Sequence, residues 1–388
     1  MMTTFPPAPA DQVTLGNWRT GPHCHWAFHH VREIVPSAEI RHANGAVRDL
    51  PEGAEEEMPD ITAGGETLSY AEYCARLHVD GLVVLRDGKI VHEHYANGMD
   101  RGSPHILMSV SKSMLGLLAG VLADKGVLDL DAPATEYVPE LAGSAFEGAT
   151  VHNLLDMRAG VFFDEDYLAT SGPIIEYRKA TNWNPLGPGE TPSDLRSFFS
   201  TLTEHTGPHG GAFDYTSPCT DLMGWVIERA AGRRYADQFS ELIWQPMGAE
   251  SAAYITVDRL GAPRCAGGIC MTTRDLARVG KMVAEGGRGV VPAGWLDSIA
   301  RDGDKAAWDA GNMAEDYPGL QMHYRAFWYV IRDRGPTLFG VGIHGQNLLV
   351  DLESGLVMAK FASNPAPMDA SHKMLTLSLF EALRRVHP

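Results

Sequence analysis

The sequence predicts an α+β protein: one antiparallel sheet assembled from segments far apart in the chain, flanked by helices, with a helical region inserted between its parts. Three observations carry this. Hairpin-forming runs lie near both ends of the 388 residues, the middle reads as helices between glycine- and proline-rich loops, and the chain closes on a helix. Hydrophobic residues make up 44% and charged residues 21%, the ordinary balance of a globular protein. That excludes a disordered, fibrous or disulfide-framework chain.

The elements follow in order. Residues 1–60 are rich in proline, histidine and acid and read as an arm packed on the body. Within them Glu52 to Asp60 is too charged to pack and reads as a solvated connection. In Gly81–Tyr95, two β-rich runs flank Asp87-Gly88, which suits a type I′ turn. Val110 to Ala123 is apolar at Val110, Met114, Leu117, Leu118, Val121 and Leu122, the spacing of a mostly buried helix, stopped at Gly126. Residues 131–250 are mainly helical, with a helix over Asp221–Ala231 before Gly232, and Arg274–Ala284 forms another. Tyr324–Ile331 is aromatic and β-branched. Asn347–Leu352 and Leu356–Ala362 form a second hairpin around Glu353-Ser354-Gly355, and a helix over about Asp369–Val386 ends the chain. Residues 61–130 and 251–388 thus supply the sheet region of a single unit.

The net charge is -17, from 32 basic and 49 acidic residues. Such a surface repels phosphate backbones and anionic membranes, so neither nucleic acid nor membrane is an expected partner. No run approaches the roughly 18 to 20 apolar residues of a membrane span. Met1–Gln12 lacks the features of a secretory signal. The five cysteines are odd in number and lack Cys-x-x-Cys spacing. They read as reduced, buried apolar side chains of a cytoplasmic protein. A homodimer is the default assembly.

Candidate chemistry begins at Ser109-Val110-Ser111-Lys112, the one Ser-x-x-Lys in the chain. Positions i and i+3 share a helix face, so Lys112 can reach the Ser109 hydroxyl. A serine needs a base to become a nucleophile, and burial lowers a lysine pKa toward the neutral form that serves as one. The bland alternative is a capping serine and a surface lysine. Tyr215, in Asp214-Tyr215-Thr216-Ser217 ahead of a helix, can shuttle a proton. Beside a lysine cation it would favour the phenolate. Gly340-Val341-Gly342-Ile343-His344-Gly345-Gln346 precedes a strand, and glycines on a sheet edge let the backbone approach a substrate.

A helix opening on Ser-x-x-Lys, a mid-chain Tyr-x-Ser and a late glycine-rich edge strand resemble the serine β-lactamase and penicillin-binding-protein superfamily. Within it the chain is most similar to the branch of 6-aminohexanoate-dimer hydrolases and related carboxylesterases. The likeness extends through Trp26-Ala27-Phe28-His29-His30-Val31-Arg32-Glu33, His152-Asn153-Leu154-Leu155-Asp156-Met157, Asp164-Glu165-Asp166-Tyr167 and Thr273-Arg274-Asp275-Leu276-Ala277-Arg278-Val279-Gly280. It implies a β-lactamase-like (DD-peptidase) fold, no cofactor and a small amide or ester substrate. Residue by residue, it makes Ser109 the acyl-enzyme nucleophile, Lys112 its base and Tyr215 the proton donor to the leaving group. It places the oxyanion hole at the backbone N–H groups of Ser109 and Ile343. Tyr167 matches a residue touching the substrate amide. Trp183, on a more mobile loop, and Trp328 match aromatics of the cleft. Three departures stand out. Ser217 replaces a common asparagine, Gly340 replaces the lysine or histidine of β-lactam enzymes, and no Glu-x-x-Leu-Asn loop occurs. Without that cation, β-lactamase and D-Ala-D-Ala peptidase activity are disfavoured.

His344 beside the oxyanion strand reads as a pocket-wall residue. His23, Cys24, His25, His29 and His30 form a dense cluster with one i, i+4 pair, yet lie in the arm with no acidic neighbours, so no metal is expected. The leading expectation is a serine hydrolase of small linear amides and esters. The rivals are a carboxylesterase without useful amidase activity and a non-catalytic binding protein on the same fold.

Overall fold

Asp87 and Gly88 take φ angles of 50° and 71°, the left-handed pair that a type I′ turn requires. They join β1 (Val79–Arg86) to β2 (Lys89–Tyr95). The computed structural model, which describes residues 1–45 and 47–386, completes the sheet with strands from the far end of the chain. These are β3 (Met322–Arg325), β4 (Trp328–Ile331), β5 (Thr337–Gly342), β6 (Gln346–Asp351) and β7 (Val357–Ala362). The order is β2-β1-β7-β6-β5-β4-β3, antiparallel throughout.

Helices cover both faces. The main ones are α1 (Val110–Asp124), α2 (Ser217–Ala231), α3 (Thr273–Ala284) and α4 (Ala370–Val386). Val357 of β7 meets Gly280 of α3, while Lys360 hydrogen-bonds Thr376 of α4 at 2.7 Å. Odd and even positions of a strand point to opposite faces, so α3 and α4 lie on opposite sides. Every residue of α1 from Val110 to Leu122 is buried. It lies so close to the turn after β3 that a Cβ on Gly116 would come within 2.0 Å of the Ala326 carbonyl oxygen. α2 begins four residues before the sequence expectation because Pro218, lacking an N–H, is tolerated in the first turn.

Three expectations change. The N-terminal segment does more than rest on the body. Its Ser37–Ile40 pairs with Ala253–Thr256 at the edge of a second, four-stranded sheet that also holds Ile269–Met271 and His105–Ile106. Its Trp18, Phe28 and Val31 form a separate apolar cluster with Met108 and Trp183. Glu52–Asp60 is not wholly solvated. Gly53 and Glu56 donate backbone bonds to Ile90 and Val91, and Glu56 pairs with Arg86 at 2.7 Å. This covers the open edge of β2. Finally, β5 lies between β4 and β6 rather than at the edge. Its pairing with β4 ends at Phe339, however, so Gly340 to Gly342 are bonded to β6 alone. An edge exists locally, where it faces the start of α1.

Candidate active site

Ser109 sits at the N-cap of α1 but makes no capping hydrogen bond, so its hydroxyl is free for chemistry. The preceding residue, Met108, has φ of 44°, a conformation side-chain-bearing residues seldom adopt. This turns the chain sharply from the His105–Ile106 strand into the helix and presents Ser109 at the bottom of a cleft. The capping-serine alternative is therefore not what the fold does with it.

Lys112, one turn on, is fully buried and held by three groups. Its Nζ lies 2.9 Å from Ser109 Oγ, 3.0 Å from Ser217 Oγ and 2.9 Å from the Ala266 carbonyl oxygen. The carbonyl can only accept. Ser217 donates its hydroxyl proton to Glu165 Oε1, so its oxygen can only accept from Lys112. Two of the three directions around Nζ are thus fixed as donations. In the neutral amine the remaining lone pair faces Ser109. Burial pushes the Lys112 pKa down to about 7, against the attraction of Glu165. The neutral amine is accordingly well populated near neutral pH.

Sequence reasoning placed Ser217 in the tyrosine motif without giving it a role, and missed Glu165 as a site residue. Glu165 Oε2 takes the backbone N–H of Ser217 at 2.6 Å, and Oε1 takes the Tyr167 hydroxyl at 2.5 Å. The available signal was the acidic run before Tyr167, but three neighbouring acids cannot be told apart by type. Behind this layer, buried Asp221 pairs with Arg264 and accepts the Ala266 N–H at 2.7 Å. This fixes the loop whose carbonyl meets Lys112.

The Tyr215 ring lies beside Lys112, with Nζ 4.9 Å from its centroid, and lines the same cleft as Ser109. Burial, then the charge of Glu165, raise its pKa well above that of a free phenol. Both causes oppose the phenolate expected beside a lysine cation.

The remaining expected residues divide. A cleft of about 100 Å³ is lined by Ser109, Tyr167, Tyr215, Tyr329 and Ile343. A smaller pocket, also open to Ser109 and Ile343, holds Glu165, Ser217 and Trp183. Trp183 is reached, at the wall of the smaller pocket. It is buried, its Nε1 donates to Thr256 at 3.1 Å, and it meets Trp18 edge-on at 5.1 Å. Trp328 is fully buried and lines neither pocket. Strand alternation in β4 gives that place to Tyr329. His344 lines an outer cavity next to these. Its ring is bonded to the Asn364 carbonyl at 2.6 Å, and burial lowers its pKa to about 4. The imidazole is neutral there.

In the arm, His25 bonds Ser363, His29 bonds the His25 carbonyl and His30 bonds the Trp26 carbonyl. These rings hold the arm's own turns and tie it to the end of β7. All five cysteines are free and buried. No helix among the described residues is long and apolar enough to cross a membrane.

Comparison with known proteins bears on this geometry. The profile of the β-lactamase family matches residues 71–380. The 6-aminohexanoate-dimer hydrolase of Paenarthrobacter ureafaciens is 36% identical over 377 residues, covering 95% of this chain and 92% of that protein. Esterase EstB of Burkholderia gladioli is 27% identical over 45% of this chain and 47% of its own. Among solved structures, a Bacillus anthracis protein named for 6-aminohexanoate-dimer hydrolase superposes with a TM-score of 0.88, at 23% identity and 98% coverage of both chains. With the profile spanning most of its length and the first of these relatives matching nearly all of it, this chain belongs to the β-lactamase family and is a hydrolase of that fold.

Proposed function

We propose that the protein is a serine hydrolase that cleaves small linear amides, of the 6-aminohexanoate-oligomer type, and carboxylic esters through an acyl-enzyme. The observation that carries the reading is the three-way hold on Lys112, which leaves its lone pair on Ser109. Neutral Lys112 takes the Ser109 proton as Oγ attacks the carbonyl carbon. The oxyanion is received by the N–H groups of Ser109 and Ile343. The C–N or C–O bond then breaks, and Tyr215 passes a proton to the leaving amine or alcohol. Water, deprotonated by the same Lys112–Tyr215 pair, hydrolyses the acyl ester and restores Ser109. Tyr167 gives its proton to Glu165, so its oxygen is free to accept the N–H of a substrate amide.

The similarity to an esterase supports a second reading, a carboxylesterase without useful amidase activity. Labelling with a fluorophosphonate, followed by mass spectrometry, tests the nucleophile. Adduct on Ser109 is expected, and an unlabelled Ser109 in folded protein refutes the mechanism. Turnover of p-nitrophenyl esters against 6-aminohexanoate dimer then separates the two readings.

A further inference from the structure

A second buried lysine takes no part in the mechanism. Lys360 of β7 is 1% exposed, yet it lines the same cleft as Ser109 and Tyr215. Its Nζ donates to Thr376 Oγ1 at 2.7 Å and reaches the Tyr73 hydroxyl at 3.4 Å, both neutral groups. Thr376 gives its own proton to the His372 carbonyl at 2.9 Å, so it accepts from Lys360. Lys360 makes no ion pair among the described residues, and these two contacts leave one of the three N–H directions of an ammonium without an acceptor. A buried charge without a counter-charge is costly. Burial pushes the Lys360 pKa down to about 7, and an anion beside it would restore the ammonium.

The sheet sets its distance from the nucleophile. Val341 of β5 pairs with Asn347 of β6, and Asn347 with Lys360 of β7. Residues paired across neighbouring strands share a face, and all three line the cleft. Strands lie about 4.8 Å apart, so Lys360 stands roughly 10 Å across the sheet from Val341, which is two residues before Ile343. The other charges at that end are matched. Lys373, one turn of α4 before Thr376, pairs with Asp316 at 3.2 Å and lies 4.4 Å over the Tyr317 ring. Asp369 accepts the N–H groups of Ser371 at 2.8 Å and His372 at 3.2 Å. The Tyr317 hydroxyl is buried without a partner and is a further donor on the cleft wall.

We infer that Lys360 anchors a carboxylate at the far end of the leaving half, so that the enzyme prefers amides and esters of six-carbon ω-amino or ω-hydroxy acids. The inference rests on the hydrolase reading, which puts the leaving group at Tyr215. Tyr215 lines this cleft and not the smaller pocket. At about 10 to 15 Å³ per water-sized group, the 100 Å³ of the cleft takes roughly the heavy atoms of a six-carbon amino acid. Extended at about 1.2 Å per bond, such a leaving half covers about 8 Å from the scissile carbon to its carboxylate, the scale of the step across the strands. A 6-aminohexanoate dimer carries its carboxylate on this half, so the anchor agrees with the proposed activity. The net charge of -17 works against an anionic substrate, so the preference has to come from the site itself.

The test uses acetyl esters that differ only in the leaving half: 6-acetoxyhexanoate, its neutral carboxamide, and the same pair built on 4-acetoxybutanoate. In wild type, kcat/KM for 6-acetoxyhexanoate should exceed that for its carboxamide by on the order of 10- to 100-fold, the worth of one hydrogen bond to a charged group. The gain should sit in KM. The four-carbon acid is too short to reach Lys360 and should lose the advantage. Lys360→Met should bring the six-carbon ratio to about one, while Lys373→Met, whose charge Asp316 already matches, should retain it. A wild-type ratio near one, or a ratio that survives Lys360→Met, overturns the inference. Should Lys360→Met fail to fold, the wild-type length dependence decides, and equal ratios for four and six carbons overturn it. Calorimetry on Ser109→Ala keeps this inference apart from the hydrolase reading. Tighter binding of 6-acetoxyhexanoate than of its carboxamide supports the anchor even where no ester is turned over, and equal binding overturns it.

Discussion

Ser217 gives both its hydroxyl and its backbone N–H to Glu165, and this pairing sets the role of Lys112. With its proton committed, Ser217 Oγ can only accept from Nζ, and the lysine lone pair is left for Ser109. A neutral amine is useful only above its own pKa. Lys112 titrates at about 7, so the protonated, inactive form dominates below that value. kcat/KM should rise with pH on a limb near 7 and fall about ten-fold per unit below it. Glu165 raises the Lys112 pKa, so Glu165→Gln should move the limb to lower pH as well as slow the reaction. A limb unchanged in that variant would separate Glu165 from the base.

Ser109→Ala should abolish turnover without disturbing the fold, because its hydroxyl makes no capping bond. Loss of a serine nucleophile costs on the order of 10⁶ in rate in a characterised hydrolase. More than a few per cent residual activity, with the melting temperature intact, would remove Ser109 from the mechanism.

Tyr215→Phe should depress amide hydrolysis far more than hydrolysis of p-nitrophenyl acetate. An amine must be protonated as it leaves, whereas nitrophenolate needs no help. The difference should reach roughly 10²- to 10⁴-fold, the usual worth of general acid catalysis. Equal losses on both substrates would instead place Tyr215 in the activation of Ser109, beside which it lines the cleft.

Tyr167→Phe removes the acceptor for a substrate N–H and also a donor to Glu165. Amide turnover should drop several-fold or more, since a hydrogen bond is worth about 0.5 to 1.5 kcal/mol. Ester turnover should change much less. An amide-to-ester ratio that stays constant would make Tyr167 a support for Glu165 alone.

The two tryptophans should behave differently from mobile cleft residues. Trp183→Ala and Trp328→Ala each empty a buried site and should cost about 3 to 5 kcal/mol of stability, read as a lower urea midpoint. Tyr329→Ala, on the cleft side of β4, should raise KM for long substrates more than Trp328→Ala does.

The Ser109–Lys112 pair was legible because i, i+3 spacing on a helix is local geometry, independent of the rest of the fold. The Asp87-Gly88 hairpin and the buried run of α1 were legible for the same reason: turn chemistry and apolar period act over a few residues. Trp328 was misplaced because both faces of β4 are buried. The apolar pattern then carries no sign of which face meets the cleft. Glu52–Asp60 looked solvated because composition cannot reveal an open strand edge that needs a cover.

By itself the sequence determined the nucleophile helix, the hairpins, the order of the three motifs and so the family. Each of these is written in short-range spacing and turn preference. Only the tertiary structure decided the protonation of the site. Ser217 lies 105 residues from Lys112 and 52 from Glu165, and Ala266 lies 154 beyond Lys112. Their convergence removes water from an amine, raises the cost of its charge and assigns every proton around it. Desolvation is a property of the surrounding volume, which no local run of residues contains.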